Sequence, residues 1–377
     1  MPVIRFKGPL KHRVLSMIAL NRAVVSTSVR RLFGQRMEPS WSLSVEIGIR
    51  FWRAQFTRAM AQADMATGRA IFDSLVTETD DVYDVLTEHT GTPEGCWYRP
   101  RHVKSKATLL YLHGGGYAFD GPVSARFAAM LAHHCQAALF MPRYRLTPEH
   151  PHPAQADDAV TAWQYLCQTR AAHEIVVIGD SAGGHMALML LQSLKARGLA
   201  QPALCVGLCP WTDIGARGDS LTAHDRFDLV QGWMAVRFGD WLDPDRAFGR
   251  SELSPIAYDF TGLAPLYLQA GGREVLHDMI CEFADQQAAR DVDVMLDVWP
   301  DMPHDFQAYD SMKASSVAAL ERIRLVVDAH MEGRAVMARS DATRVASGRF
   351  AAEAERGQTA HSNTYPAASD PKTASTR

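Results

Sequence analysis

Residues 179–184, Gly-Asp-Ser-Ala-Gly-Gly, stand between a short β-branched run at residues 174–178 and a helical pattern at residues 185–194. A strand that turns at once into a helix through Gly-x-Ser-x-Gly needs small residues two positions either side of the serine, because larger ones do not fit so tight a reversal. The turn leaves the hydroxyl of Ser181 clear of the sheet, at the positive end of the following helix. One six-residue stretch therefore asks for a sheet strand, a helix behind it and a serine presented for nucleophilic attack. The rest of the chain must supply a base, an acid and donors for the negative charge that such an attack creates.

Around this turn the pattern is α/β. Strand-like runs occur at residues 96–100, 108–112, 137–141, 174–178, 204–208, 265–269 and 292–298, with helical patterns between most of them. That alternation argues for a mostly parallel central sheet flanked by helices on both faces. Upstream, the spacing of Val45, Ile49, Trp52, Phe56 and Met60 predicts a helix starting near Pro39 with Ser40 as its cap, and a second helix follows over residues 65–75. Residues 213–260 interrupt the rhythm, with a helix around residues 230–242. The stretches 39–76 and about 214–250 are expected to form a helical cap, within a catalytic domain spanning residues 38–332.

The two ends differ from the middle. Residues 1–37 carry eight basic side chains and no acidic one, which leaves 31 basic against 42 acidic residues, a balance of −11, for the rest of a chain whose total is −3. This basic N-terminal extension reads as flexible in the plainer view, and as a weak membrane-surface contact in the functional one. From Gly333 the chain is rich in Ala, Ser, Thr and Arg, so residues 333–377 are expected to be a disordered tail with at most a transient helix over 334–350.

Cys96, Cys135, Cys167, Cys205, Cys209 and Cys281 lie mostly in apolar runs and read as free thiols of a reducing compartment, so the cytoplasm is the expected location. No early apolar run is long enough to span a membrane. Neither Cys-x-x-Cys nor His-Glu-x-x-His occurs, so no metal is expected, and no cofactor motif is present. The near-neutral overall charge gives no reason to expect nucleic acid as a partner.

His113-Gly114-Gly115-Gly116-Tyr117 directly follows the strand at residues 108–112. Three glycines let backbone N–H groups approach an oxyanion without Cβ obstruction, and losing one such donor typically costs about 3–4 kcal/mol. A phosphate cradle would require a following Gly-Lys-Ser or Gly-Lys-Thr, which is absent. In this architecture the chain order is serine, acid, histidine. Of the histidines after Ser181, His304 lies in a loop immediately after the last strand-like run, whereas His277 falls on a helix and His330 and His361 at or beyond the domain end. The acid is Glu274, nearest the end of the preceding strand, with Asp278 one helical turn further as the competitor. Asp301 and Asp305 flank His304 too closely in sequence to orient its ring readily.

Taken together, these residues resemble the hormone-sensitive-lipase-like branch of the α/β-hydrolase esterases. The resemblance rests on His113–Tyr117, Tyr144-Arg145-Leu146-Thr147-Pro148-Glu149, Pro153-Ala154, Asp157-Asp158-Ala159, the full Gly179-to-Gly184 turn, Pro210-Trp211-Thr212-Asp213 and Ser254-Pro255, in that order. It implies an α/β-hydrolase fold with Ser181 as nucleophile, His304 as base, and Gly115, Gly116 and Ala182 as oxyanion donors. The family's Asp-Pro-Leu-x-Asp reads Glu-Val-Leu-His-Asp here, which puts Glu274 in the acid position. Pro-Trp-Thr-Asp and Glu-Val-Leu-x-Asp are most similar to bacterial acetyl-ester and monoterpene-lactone hydrolases. The expected function is cleavage of short- to medium-chain acyl esters or lactones through an acyl-enzyme. A non-catalytic small-molecule binder and an amidase or thioesterase using the same triad are the alternatives. A homodimer is a further reading of the partners.

Overall fold

The computed structural model describes residues 4–77, 83–309, 313–334 and 340–351. It begins with β1 (Ile4–Phe6), α1 (Leu10–Leu32), α2 (Leu43–Met60), α3 (Met65–Phe72) and β2 (Leu75–Thr77), where β1 and β2 pair antiparallel. There follow β3 (Val85–Gly91), β4 (Glu94–Pro100), β5 (Thr108–Leu112), α4 (Pro122–Cys135), β6 (Ala138–Pro142), α5 (Ala154–Cys167), β7 (Ile175–Asp180), α6 (Ala182–Ala196) and β8 (Leu204–Leu208). The chain continues through α7 (Ser220–Ala223), α8 (Gly232–Leu242), β9 (Leu266–Gly271), α9 (His277–Ala288), β10 (Val294–Trp299), α10 (Ala314–Met331) and β11 (Thr343–Ala346).

Among the described residues, nine strands form one sheet in the order β11-β10-β9-β8-β7-β5-β6-β4-β3. The six from β10 to β6 run parallel, while β3, β4 and β11 are antiparallel additions at the two edges. Every residue of β5, β7, β8 and β9 is buried, as a sheet covered on both faces requires. Successive residues feed opposite layers. Leu110, Leu112 and Val177 pack with Trp163 of α5 and Leu188 of α6, whereas Leu109, Tyr111 and Val176 pack with Met130 of α4 and Ile323 of α10.

The structure corrects the reading of both ends. The N-terminal segment is not a flexible extension: α1 packs along α2, and Ser16 Oγ meets Ser74 Oγ at 2.6 Å while accepting from Gln55 Nε2 at 2.8 Å. Arg31 Nε reaches the fully buried Glu46 at 2.9 Å. The helix gave no core-like pattern because its inner face is small or polar, with Ser16, Ala23 and Thr27 as its buried residues. The helical layer before the sheet therefore begins well ahead of residue 39. Its second helix is capped by Ser42, whose Oγ accepts from Val45 N at 3.3 Å, and not by Ser40, whose hydroxyl instead donates to Asp301.

At the other end, the stretch expected to be a disordered tail contains β11, paired antiparallel with β10, and Phe350 is buried in the core. Arg344 and Arg349 pair with Asp285 at 2.7 Å and Asp293 at 2.9 Å. A four-residue strand that mixes Thr343 and Arg344 with Val345 and Ala346 is too short to carry an apolar signature of its own, and its order comes from hydrogen bonds offered by the edge of β10. The remainder of that expectation, residues 352–377, lies outside the described residues. The strand β3 was also not anticipated: it is largely exposed, and Thr87, Glu88, His89 and Thr90 give it no apolar run.

Candidate active site

Ser181 sits between β7 and α6 at φ 53°, ψ −119°, a conformation that a non-glycine residue keeps only where the surroundings enforce it. Its N–H donates to Leu208 O at 2.9 Å and its carbonyl accepts from Trp211 N at 3.0 Å, so β8 and the loop after it clamp the turn. A Cβ on Gly183 would lie 1.9 Å from Leu112 O, which is why the helix can lean so closely on the end of β5 only with glycine there. The same contact brings the loop after β5, which carries Gly115 and Gly116, beside the serine.

That loop is fixed by buried polar contacts. Asp180, the residue before Ser181, accepts from Gly114 N at 2.9 Å and from Tyr111 Oη at 2.6 Å. Burial raises its pKa, opposed by these hydrogen bonds and by His113. His113 stacks on Tyr144 with ring centroids 4.2 Å apart, and Tyr144 Oη donates to His113 O at 2.7 Å. On the other side, His185 Nε2 lies 2.6 Å from Leu253 O and must donate to it. Nδ1 is then the acceptor for Tyr117 Oη, also at 2.6 Å. Burial lowers His185 to about 4, so this histidine stays neutral and serves as a brace.

His304 follows β10 and Glu274 follows β9, neighbouring parallel strands, so their loops emerge at the same sheet edge as Ser181. His304 Nδ1 lies 2.7 Å from Glu274 Oε2, and Glu274 Oε1 accepts from Gly271 N at 2.8 Å. The structure brings Glu274 and not Asp278 to the imidazole. Asp278 Oδ2 instead accepts from Ser220 N at 2.9 Å, at the start of α7. His304 Nε2 is buried with no hydrogen-bond partner. Asp305 Oδ2 stands 3.3 Å from it, because a left-handed φ of 50° swings this neighbouring carboxylate back over the ring. Asp228 is also fully buried, accepts from Val275 N at 2.7 Å, and is raised by burial to about 7. Burial alone would lower the pKa of His304, but Asp305, Glu274 and Asp228 outweigh it and raise the imidazole above its ordinary value.

Ser181, His304, Asp305, Gly115, Gly116 and Ala182 line one narrow cavity of about 40 Å³. Phe56 of α2, Phe238 of α8, Val230 and Trp211 complete its lining. As the first residue of α6, Ala182 has an N–H without an acceptor inside the helix. The Trp211 indole N–H is buried without a partner. Asp180, Tyr144, His185, Asp228 and Trp211 were not assigned roles from sequence. Asp180, Tyr144 and Trp211 lie inside quoted motifs, so only their roles were missed, whereas Asp228 carried no signal. The outer motif blocks prove to be braces: Arg145 is held by Asp158 at 2.8 Å, Glu149 by Arg69 at 2.7 Å, and Ser254 Oγ accepts from Ile214 N at 3.1 Å.

Other chemistry is poorly served. Donor atoms of Cys209, His304 and Asp305 lie within 4.8 Å of one another, yet burial keeps the Cys209 thiol protonated and hence a weak metal ligand. A wider groove of about 540 Å³ beside α9 holds Cys281 Sγ 3.6 Å from His277 Nε2. Burial pushes that thiol up to about 11, so it is no activated nucleophile.

An elbow serine, a carboxylate–histidine pair and a glycine loop at the C-terminal edge of a parallel sheet define a class, and the chain belongs to it: the sequence profile of the alpha/beta hydrolase fold family matches residues 109–308. An acetyl-hydrolase of Streptomyces hygroscopicus is 35% identical over 247 residues, covering 63% of this chain and 80% of that protein. Ethyl acetate hydrolase of Pseudomonas putida is 31% identical, covering 57% of this chain and 71% of its own. A crystal structure of an esterase from the bacterial hormone-sensitive lipase family superposes with a TM-score of 0.63 at 26% identity, covering 83% of this chain and 98% of that one. The chain is thus an ester-hydrolysing enzyme of the hormone-sensitive-lipase-like branch, and the non-catalytic alternative falls away.

Proposed function

We propose that this enzyme cleaves short-chain acyl esters through Ser181, His304 and Glu274. The observation that carries this reading is the 2.7 Å contact between His304 Nδ1 and Glu274, with Nε2 making no hydrogen bond at the edge of the cavity that Ser181 lines. Nδ1–H donates to Glu274, which fixes the tautomer in which Nε2 is the free base. Nε2 takes the proton as Ser181 Oγ attacks the ester carbonyl. Gly115, Gly116 and Ala182 N–H groups hold the oxyanion, and His304 returns the proton to the departing alcohol. Water then attacks the acyl-enzyme by the same steps in reverse roles, releasing the acid and restoring the serine. The helices α2 and α8 act as the cap that shapes the acyl site.

Two features support a short acyl group: the cavity of about 40 Å³, and likeness to an acetyl-hydrolase and an ethyl acetate hydrolase. The expected order on p-nitrophenyl esters is acetyl and propionyl above octanoyl, with any lactone activity confined to small rings. Ser181→Ala should lower kcat on the order of 10⁶-fold and abolish labelling by a fluorophosphonate. Normal ester turnover by that variant would overturn the assignment, and faster turnover of an anilide or thioester than of the ester would move the reading to those bonds.

A further inference from the structure

We infer that the outer face of α1 is a docking surface for anionic phospholipid bilayers. This helix is inverted relative to a normal packed helix. Its inner face buries Ser16, Ala23 and Thr27, while Leu10, Val14, Met17, Ile18, Val25 and Leu32 point outward at spacings of three, four and seven. Leu10, Val25 and Leu32 are 69%, 61% and 83% exposed. Over 23 residues this makes an apolar stripe roughly 34 Å long. Large apolar side chains set outward in one line, on a helix whose buried residues are small and which adds only Ala19 and Leu20, half-buried, to the cluster of Phe51 and Leu75, mark a contact surface and not a core element.

Charge decides the occupant. Lys11 and Arg22 on one side of the stripe and Arg13 on the other are exposed, and residues 1–37 contain no acid. The remaining chain carries −11, so an anionic bilayer attracts this segment and repels the rest, which orients the molecule as well as binding it. A basic helix with such a face lies in the interface plane, its apolar side chains about 5–10 Å deep. None of the described helices is long and apolar enough to cross a membrane, so the contact is peripheral. The next helix inward, α2, carries Phe56 to the cavity, which places the cap on the membrane side.

The test is co-sedimentation of the full chain with sucrose-loaded vesicles of 7:3 phosphatidylcholine and phosphatidylglycerol, beside vesicles of phosphatidylcholine alone. The protein should pellet with the mixed vesicles, far less with the neutral ones, and be released by 0.5 M NaCl. Lys11→Glu with Arg22→Glu should lower the partition coefficient by at least about fivefold for each charge. The triple variant Val14→Ser, Val25→Ser, Leu32→Ser should abolish binding while turnover of p-nitrophenyl acetate stays unchanged, which confirms that it folds. A full chain that stays in the supernatant with mixed vesicles overturns the proposal. So does a concentration-dependent dimer that the triple variant dissolves without any vesicle binding, which assigns the face to a second copy of the chain.

Discussion

Glu274 and Asp305 approach opposite nitrogens of one imidazole. Glu274 at Nδ1 fixes the tautomer that leaves Nε2 free, and it and Asp305 at Nε2 both favour the imidazolium, which delays the appearance of the proposed base. Asp228, buried close by, adds to the second effect. In the proposed mechanism the imidazole must be neutral for attack, so with its raised pKa kcat/KM should climb with pH to a limb above the ordinary imidazole value. Asp305→Asn puts a neutral amide in place of the carboxyl group that raises the imidazole from beside Nε2, so the limb should move to lower pH. A limb that stays put, or rises, in a pH profile of kcat/KM would contradict this. Glu274→Ala should cost on the order of 10⁴-fold in kcat, because the imidazole loses its tautomeric constraint. Asp278→Ala should cost far less and show itself mainly as lowered stability, since Asp278 serves Ser220. The reverse ranking in steady-state kinetics would remove Glu274 from the triad.

Among the elements, the central strands were legible from sequence, and β5 and β8 coincide with the expected runs at residues 108–112 and 204–208. Being covered on both faces, they are mostly apolar and announce themselves. The edge strands are different. β3 and β11 owe their order to hydrogen-bond partners in β4 and β10, and their own side chains are mixed or polar. Phe350 is the anchor that makes β11 more than a passing contact, since it is 2% exposed within the core. Phe350→Ala should cost about 3–5 kcal/mol, seen as a lower urea midpoint with an unchanged slope. Because β11 is remote from Ser181, turnover well below that midpoint should match the parent. A midpoint equal to the parent's would mean that this segment is not anchored as described.

At the scale of the whole molecule, the parallel sheet delivers three loops to one edge, and the helical layer before it closes over them. Local backbone demands are written locally. The turn at Ser181 and the glycine loop after β5 each follow from neighbouring residues, and they suffice for the fold class and for Ser181 as the proposed nucleophile. What neighbouring residues do not specify is the choice among candidates that a strand end brings within reach of one another. Only the registers of β9 and β10 put Glu274, and not Asp278, against His304, and only the left-handed turn at Asp305 sets a second carboxylate beside Nε2. The same holds for α1: from sequence residues 1–37 read as a flexible basic extension or a membrane-surface contact, and only the fold decides that its small, polar face is the one turned inward. A residue's type limits which contacts it can make, and the path of the chain decides which of them it does.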